Sequence, residues 1–207
     1  AHPPSHGPHR QHGAARRRPR RTDDDPDESA RRYGRRRVTI VHKANILKFT
    51  SGMFLRIGQD IAREYPDVPS DDKIIDNMAM QLVMRPEEFD IIVTTNLFGD
   101  ILSDLASGLV GGLGLAPGAN IGDSAAIFEA VHGSAPDIAG RNLANPAALL
   151  LGGTMMLRHV GKVPQADRIE TALEAVLRDG RLVTRDLNPN GVGTTAMRDA
   201  IIDRLQS

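Results

Sequence analysis

The stretch NLFGDILSDLASGL, from Asn96 to Leu109, follows the β-branched run DIIVTT at 90–95. We expect the run to be a buried strand and the stretch after it a helix. Asp100 and Asp104 lie four residues apart, so their carboxylates share one face of that helix. Like charges so placed repel each other. The pair is either a solvated helix face or a site where a divalent cation offsets the repulsion.

The alternation of strand and helix extends in both directions from this stretch, which predicts an α/β fold. VTIVH at 38–42 predicts another buried strand. The other expected elements are a helix carrying Phe54, Ile57 and Ile61 and closed by Pro66, a short strand and helix in DKIIDNMAMQLVMRPEEF, an apolar helix AALLLGGTMMLRHV, a helix at 165–179 stopped by Gly180, and a last helix after Thr194 or Thr195.

The composition limits the kinds of site that the chain can build. Of its 207 residues 40% are hydrophobic, none is Trp and none is Cys. The absence of Cys excludes disulfides, iron–sulfur clusters and thiolate zinc sites, so oxygen ligands and Mg²⁺ or Mn²⁺ are favoured. No apolar run reaches the roughly 20 residues of a membrane span, and no secretory signal is visible. We therefore expect a cytoplasmic protein without a membrane partner.

Residues 1–29 differ from the rest of the chain, because they hold no aliphatic residue larger than Ala. We expect this segment to be disordered, since it cannot bury enough apolar surface. A basic arm for nucleic acid, a metal site of histidines and a wrongly framed reading of Arg-rich codons are the alternatives. Residues 1–37 carry a net charge of +6, so residues 38–207 carry −6. The acidic remainder argues against nucleic acid as a partner.

Several polar residues stand where strands are expected to end. Lys43 and Asn45 follow the first strand, and Lys43 is either a general base with a lowered pKa or a surface lysine. His42 has no evident partner and is interpreted as a strand residue. Asp76 closes the apolar run KIID, where it is either functional or a helix N-cap.

Two loops are rich in small residues. The loop at 111–122 lacks the third glycine of a dinucleotide fingerprint and follows a helix, so we interpret it as a flexible connector with positive-φ turns. The loop after His132 contains Gly133, Ser134 and Ala135, which let a ligand approach the backbone. Asp137 in this loop could accept hydrogen bonds from a ribose diol and would repel a 2′-phosphate.

Five blocks of the sequence together resemble the isocitrate/3-isopropylmalate dehydrogenase family of β-decarboxylating oxidoreductases. The blocks stand in family order: VHKANILKFTSGMF, DNMAMQLV, TTNLFGDILSDLASGLVGGLGLAPGANIG, FEAVHGSAPDIAGRNLANP and GVGTTAMRDAI. The resemblance runs from about Ala30 to the C-terminus. Within the family the first two blocks look more like NAD-dependent isocitrate dehydrogenase, because isopropylmalate enzymes commonly place Asp where His42 stands.

The resemblance implies a role for each matching residue. Lys43 matches the catalytic lysine, and Asp76 contributes both to catalysis and to the Mg²⁺ or Mn²⁺ site with Asp100 and Asp104. Asn45 and Asn96 match positions near the substrate and the nicotinamide. The implied cofactor loop consists of His132, Gly133, Ser134, Ala135, Asp137 and Asn145. NADP-preferring relatives commonly place Lys-Tyr at Asp137-Ile138, so the resemblance implies NAD.

The resemblance also implies a domain organisation and an assembly. Residues 30–110 would form part of a small domain with dimer-forming helices, and residues 111–207 the C-terminal part of a large domain with the cofactor loop. The active sites of a homodimer would be shared, with Lys43 and Asp76 reaching the partner's site. The family's substrate-binding arginines and catalytic tyrosine have no match in residues 1–29, and Tyr33 and Tyr65 lie outside that motif. We therefore expect an N-terminally truncated or mis-started chain with an incomplete large domain and impaired activity.

The function implied is metal-dependent oxidative decarboxylation of isocitrate, a small 2-hydroxy acid, to 2-oxoglutarate. The alternatives within the family are 3-isopropylmalate and homoisocitrate dehydrogenases. The alternative of another class is a non-catalytic pseudoenzyme or regulatory subunit that dimerises.

Overall fold

The computed structural model describes residues 36–122 and 124–206. The predictions for residues 1–29 and for a start of order near Ala30 lie outside the described residues. The strands are Val38–His42 (β1), Ser70–Ile74 (β2), Ile91–Val93 (β3), Pro117–Ile121 (β4) and Ala126–Ala130 (β5). The helices are Thr50–Ala62 (α1), Ile75–Met84 (α2), Asn96–Leu109 (α3), Ala147–His159 (α4), Val163–Asp179 (α5) and Thr194–Gln206 (α6), with short 3₁₀ turns at Pro86–Glu88 and Leu113–Leu115.

The first sheet is parallel, with strand order β2–β1–β3. All five residues of β1 are buried, which confirms the buried strand predicted from VTIVH. Parallel strands end at the same edge of a sheet, and the chain leaves this sheet at Lys43, Ile75 and Thr94. This carboxyl edge therefore collects the polar residues that follow each strand.

The two largest apolar cores of the described residues lie on either side of the Gly-rich segment. In the first, Val41 of β1 packs with Met78, Leu82 and Leu102 of α2 and α3. In the second, α4, α5 and α6 pack together through a larger set of buried residues: Ala147, Ala172, Leu173, Val176, Val183, Met197 and Ile201. The separate cores agree with a boundary near residue 110, but the division into two domains stays a prediction.

The predicted flexible connector at 111–122 is only partly confirmed. Gly111 and Gly112 have φ of +114° and +105°, as expected for turns that favour glycine. Residues 117–121, however, form β4, which pairs antiparallel with β5. Pro117 stands at the first position of its strand, where its missing N–H costs least. Glu129 and Ala130 belong to β5, so the loop that contains His132 begins only after this strand.

Helix α4 lies against the backbone of β5. A Cβ atom at Gly152 would come within 2.9 Å of the carbonyl oxygen of Glu129, so only glycine fits this approach. At the end of α5, Gly180 adopts the left-handed conformation with φ of +70° and confirms the predicted stop. No described helix combines the length and the apolar character needed to cross a membrane.

Candidate active site

Two residues that the sequence singles out meet at the carboxyl edge of the parallel sheet. Lys43 follows β1, and Asp76 lies in the first turn of α2, directly after β2. The Nζ atom of Lys43 donates a hydrogen bond of 2.6 Å to Oδ1 of Asp76. The lysine side chain is 25% exposed and the aspartate side chain 70% exposed, so the pair opens to solvent through its carboxylate. Such a position leaves the carboxylate accessible to a ligand from solvent.

The Lys43 hydrogen bond is the main cause that lowers the pKa of the Asp76 carboxyl below its ordinary value, and backbone hydrogen bonds act in the same direction. Asp76 is therefore a carboxylate near neutral pH. The alternative that Asp76 caps a helix is wrong, because Ile74 is the cap residue and no side chain caps it. Lys43 is partly buried and paired, and its role as a general base rather than a surface lysine stays a prediction.

His42 is a buried strand residue, as expected, but it has partners that the sequence did not reveal. Its Nε2 atom lies 3.1 Å from Oδ2 of Asp72 on β2. Its Nδ1 atom accepts the backbone N–H of Ala44 at 3.0 Å. The ring of His42 therefore joins residues 42 and 44, which lie on either side of Lys43 and its candidate catalytic amine.

Asp100 and Asp104 lie on the exposed side of α3. The helix begins at Asn96, so Asp100 is in its second turn and Asp104 in its third, away from the helix N-terminus. Among the described residues, neither carboxylate has a hydrogen-bond or ion-pair partner, and only the backbone carbonyl of Asp100 accepts Ser103. Four unpaired oxygens on one face suit a hard cation such as Mg²⁺.

The three predicted metal ligands do not come together within one chain. In the described ranges 36–122 and 124–206, no three His, Asp or Glu side chains lie close enough to hold a metal ion. Asp76 therefore does not complete a site with Asp100 and Asp104 of its own chain. A metal site made of all three residues stays a prediction, and it requires a second chain.

The small-residue loop lines an open cavity of about 860 Å³. Five of the six residues predicted for the cofactor loop line it, namely His132, Gly133, Ser134, Ala135 and Asn145. Asp137 is the exception: it is exposed and outside the lining, and its backbone carbonyl accepts Arg141 at 3.4 Å. The geometry therefore does not bring the predicted ribose acceptor into the cavity wall. Asn45 and Asn96 are exposed at the sheet edge and do not line this cavity.

Asn145 fixes one wall of the cavity. Its Nδ2 atom donates to Oδ2 of Asp186 at 2.9 Å, and its Oδ1 atom accepts the N–H of Ala147 at 2.9 Å. The amide is buried and both its ends are used within the protein. Asn145 thus orients the first turn of α4, while Asp186 presents its carboxylate at the same wall.

Sequence reasoning missed a second wall, which Asn142 and the start of α6 build. The Oδ1 atom of Asn142 accepts the N–H of Thr195 at 2.9 Å, and its Nδ2 atom donates to Oγ1 of Thr195 at 3.0 Å. Asn142 has a φ of +56°, a conformation that Asn tolerates better than most residues. The double threonine at the start of α6 is the available signal, but the sequence indicates only a helix start there.

The comparisons with known proteins agree with one another. Residues 26–201 match the family described as isocitrate/isopropylmalate dehydrogenase. An isocitrate/homoisocitrate dehydrogenase of Thermus thermophilus is 54% identical over 173 residues, which are 84% of this chain and 51% of the relative. A 3-isopropylmalate dehydrogenase of Archaeoglobus fulgidus is 53% identical over 79% of this chain and 50% of its own. The chain spans about half the length of these curated relatives.

A solved structure gives the same result for the fold. The crystal structure of isocitrate dehydrogenase from Methylococcus capsulatus superposes with a TM-score of 0.86 at 58% identity. It covers 88% of this chain, which corresponds to 54% of that chain. The α/β fold predicted from the sequence is therefore confirmed at the level of the family.

Proposed function

Because the chain belongs to the isocitrate/isopropylmalate dehydrogenase family, we propose that it serves metal-dependent oxidative decarboxylation of isocitrate with NAD as the hydride acceptor. The observation that carries the proposal is the 2.6 Å pair of Lys43 and Asp76 at the carboxyl edge of the parallel sheet. Ligand sites of open α/β sheets lie at this edge. Relatives named for isocitrate, homoisocitrate and 3-isopropylmalate have similar identity, so the reaction type is better supported than the substrate.

The Lys43–Asp76 pair has a defined task in the proposed reaction. The 2-hydroxyl of the substrate must lose its proton when the C–H bond gives up hydride. Lys43 Nζ passes a proton to Asp76 Oδ1 through their hydrogen bond and takes the hydroxyl proton in its place, so the pair ends as an ammonium group and a carboxylic acid. Asp76 remains a carboxylate before the reaction, because Lys43 lowers its pKa.

Asp100 and Asp104 would hold the metal of the same reaction, with Asp76 of a second chain as a further ligand. Their exposed and unpaired carboxylates fit a hard divalent ion. A bound Mg²⁺ or Mn²⁺ supplies Lewis-acid stabilisation of the negative charge on the substrate oxygens. A homodimer is supported by the exposed apolar side chains of α2 and α3: Met80, Val83, Met84, Leu97, Ile101 and Leu109.

The cavity beside His132 would hold the adenosine half of NAD. Its lining of small residues leaves room for a ligand close to the backbone, and the Asp186 carboxylate, which Asn145 holds at the wall, supplies a polar group. Asp137 would disfavour a 2′-phosphate near the loop through charge repulsion, even though it lies outside the lining. Cytoplasmic location stays a prediction.

The metal assignment can be tested by Mn²⁺ titration followed by electron paramagnetic resonance. We expect the double substitution D100N/D104N to weaken Mn²⁺ binding at least about tenfold, since it removes both charges of the site. The matched control is D199N/D203N, which removes two exposed acids at the same helical spacing on α6. Equal effects of the two double substitutions would reject the site.

The substrate and cofactor can be tested by turnover and by binding. NAD⁺ and NADP⁺ reduction should be compared with isocitrate, homoisocitrate and 3-isopropylmalate in the presence of Mn²⁺. We expect isocitrate with NAD⁺ to give the highest rate, and a faster reaction with either other acid would correct the substrate. D137K should weaken NADH binding relative to NADPH, whereas the control E174K should leave the ratio unchanged.

A non-catalytic dimerising subunit is the second candidate. The exposed apolar side chains of α2 and α3 favour it as much as they favour an enzyme. Dimerisation without Mn²⁺ binding at Asp100 and Asp104 would support this candidate over the enzyme.

A further inference from the structure

The ring of His42 connects three segments around the strand end that carries Lys43. Its Nδ1 atom lies 3.0 Å from the backbone nitrogen of Ala44, and its Nε2 atom lies 3.1 Å from Oδ2 of Asp72. A backbone N–H can only donate, so Nδ1 must be the unprotonated acceptor. The proton of the neutral ring is therefore on Nε2, where it is donated to Asp72. The hydrogen-bond network thus assigns the tautomer.

Asp72, the partner of Nε2, is itself held by a second hydrogen bond. The Nε2 atom of Gln59 on α1 donates to Oδ1 of Asp72 at 3.3 Å. Asp72 belongs to β2, which pairs in parallel with β1. The His42 side chain is only 6% exposed, so water competes little for its hydrogen bonds. The ring is thus held by a strand and, through Asp72, by a helix.

Lys43 lies between the two backbone positions that the ring bridges. The carbonyl oxygen of Lys43 accepts the N–H groups of Ile46 and Leu47 at 3.1 and 2.8 Å, which closes the turn after the strand. The direction of the Lys43 side chain toward Asp76 depends on this backbone, because φ and ψ at residue 43 set the Cα–Cβ vector. A ring that clamps residues 42 and 44 restricts both angles.

We propose that His42 is a positioning residue, which locks the turn at Lys43 through the Nδ1···H–N bond to Ala44 and so holds the Lys43 amine against Asp76. The catalytic meaning of this role rests on the proposed function, whereas the positioning itself does not. The two polar ends of the ring have different tasks. The bond to Ala44 fixes the turn, while the bond to Asp72 fixes the tautomer that makes Nδ1 an acceptor.

Two substitutions separate the two ends of the ring. In His42→Asn, the Oδ1 atom stands two bonds beyond Cβ, where Nδ1 stood, and can accept the Ala44 N–H. In His42→Gln, the terminal amide stands three bonds beyond Cβ, where Nε2 stood, and reaches Asp72 but not Ala44. His159→Gln is the control, because His159 is exposed on α4 and far along the chain from this turn.

The distance between Lys43 and Asp76 can be read by zero-length cross-linking with a carbodiimide, followed by mass spectrometry. The pair Lys73–Asp71 is an internal reference, since its Nζ–O distance is also 2.6 Å and both its side chains are partly exposed. Relative to this reference, H42Q should lower the Lys43–Asp76 yield at least about threefold, as expected for the loss of one buried hydrogen bond. H42N and H159Q should keep the wild-type ratio. Equal losses in H42N and H42Q, or no loss in either, would overturn the proposal.

A second measurement needs no substitution at the buried position. In the wild-type protein the Ala44 amide should exchange its hydrogen at least about tenfold more slowly than the exposed Asn45 amide. Nitrogen NMR should find His42 neutral with its proton on Nε2. An unprotected Ala44 amide or a proton on Nδ1 would overturn the proposal even if H42Q does not fold. Neither readout uses substrate, so absence of dehydrogenase activity would reject the proposed function and leave the positioning role standing.

Discussion

At the residue scale, the pair of Lys43 and Asp76 governs what the sheet edge can bind. Its lysine is a quarter exposed, while its carboxylate is mostly open to solvent. A cation that approaches Asp76 therefore meets a carboxylate already shared with an ammonium group. Coulomb repulsion between the approaching cation and the Lys43 ammonium group would favour contact with the Asp76 oxygen that is farther from Lys43.

Removal of the lysine should change the titration of Asp76. In K43M the Asp76 carboxyl loses the hydrogen bond that is the main cause of its lowered pKa, so its pKa should rise toward the ordinary value of 3.8. The measurement is a carboxyl ¹³C NMR titration of both proteins. The control K48M should leave Asp76 unchanged, because Lys48 is exposed beyond the turn. An identical Asp76 titration in K43M and the wild-type protein would contradict the pair.

At the element scale, helices α4 and α5 are joined by an ion pair across their surface. Arg158 near the end of α4 contacts both Asp167 and Glu170 of α5. The hydrogen bond from Arg158 is the main cause that lowers the pKa of Glu170. The pKa of Glu170 is lower in the folded state than in the unfolded state, so the pair stabilises the fold at pH values above the ordinary pKa of Glu.

This linkage predicts how acid affects stability. As pH falls below the ordinary Glu pKa of 4.5, the unfolded state gains the proton first and the stabilisation by the pair is lost. Urea unfolding of E170Q should therefore depend less on pH between neutral and acidic buffer than unfolding of the wild-type protein. E174Q, on the exposed side of the same helix, is the control. The same pH dependence in wild type and E170Q would contradict the linkage.

Elements with a strong local signal could be predicted from the sequence, and elements made by distant pairing could not. The run VTIVH predicted β1, and Gly180 predicted the end of α5. The segment PGANI gave no strand signal, because Pro and Gly disfavour strands and only the pairing with β5 makes it one. Tertiary pairing overrides local preference there.

The candidate site could likewise be predicted from the sequence only in part. Lys43 and Asp76 were identified by resemblance, and the structure joins them. The bond between His42 and Asp72 spans 30 residues, and the bonds between Asn142 and Thr195 span 53 residues. Neither pair has a fixed spacing that marks it in a sequence. The separation of Asp76 from Asp100 and Asp104 within one chain agrees with what the resemblance implied.

At the scale of the whole molecule, the apolar side chains on α2 and α3 lack cover in the described part of the chain. Met84 and Ile101 are 61% and 51% exposed, although both helices also pack on the first core. Burial of such side chains contributes about 25 cal/mol per Å². An association between two copies through these helices would remove this surface from water.

A charge on this surface should therefore separate the copies. We expect I101D to weaken self-association at least about tenfold, since a buried unpaired carboxylate is costly. Sedimentation velocity over a range of concentrations measures the change. L149D is the control, because Leu149 is 64% exposed but lies on α4. Loss of association in L149D rather than in I101D would relocate the interface.

The separation of Asp76 from Asp100 and Asp104 has a consequence for genetics. If each metal site draws acids from two copies, an allele encoding D76N and an allele encoding D100N are defective in different halves of the site. Co-expression would let random pairing rebuild one intact site in each mixed dimer, or about a quarter of all sites. Two alleles that are inactive alone would then complement each other within one cell, whereas D100N and D104N alleles would not.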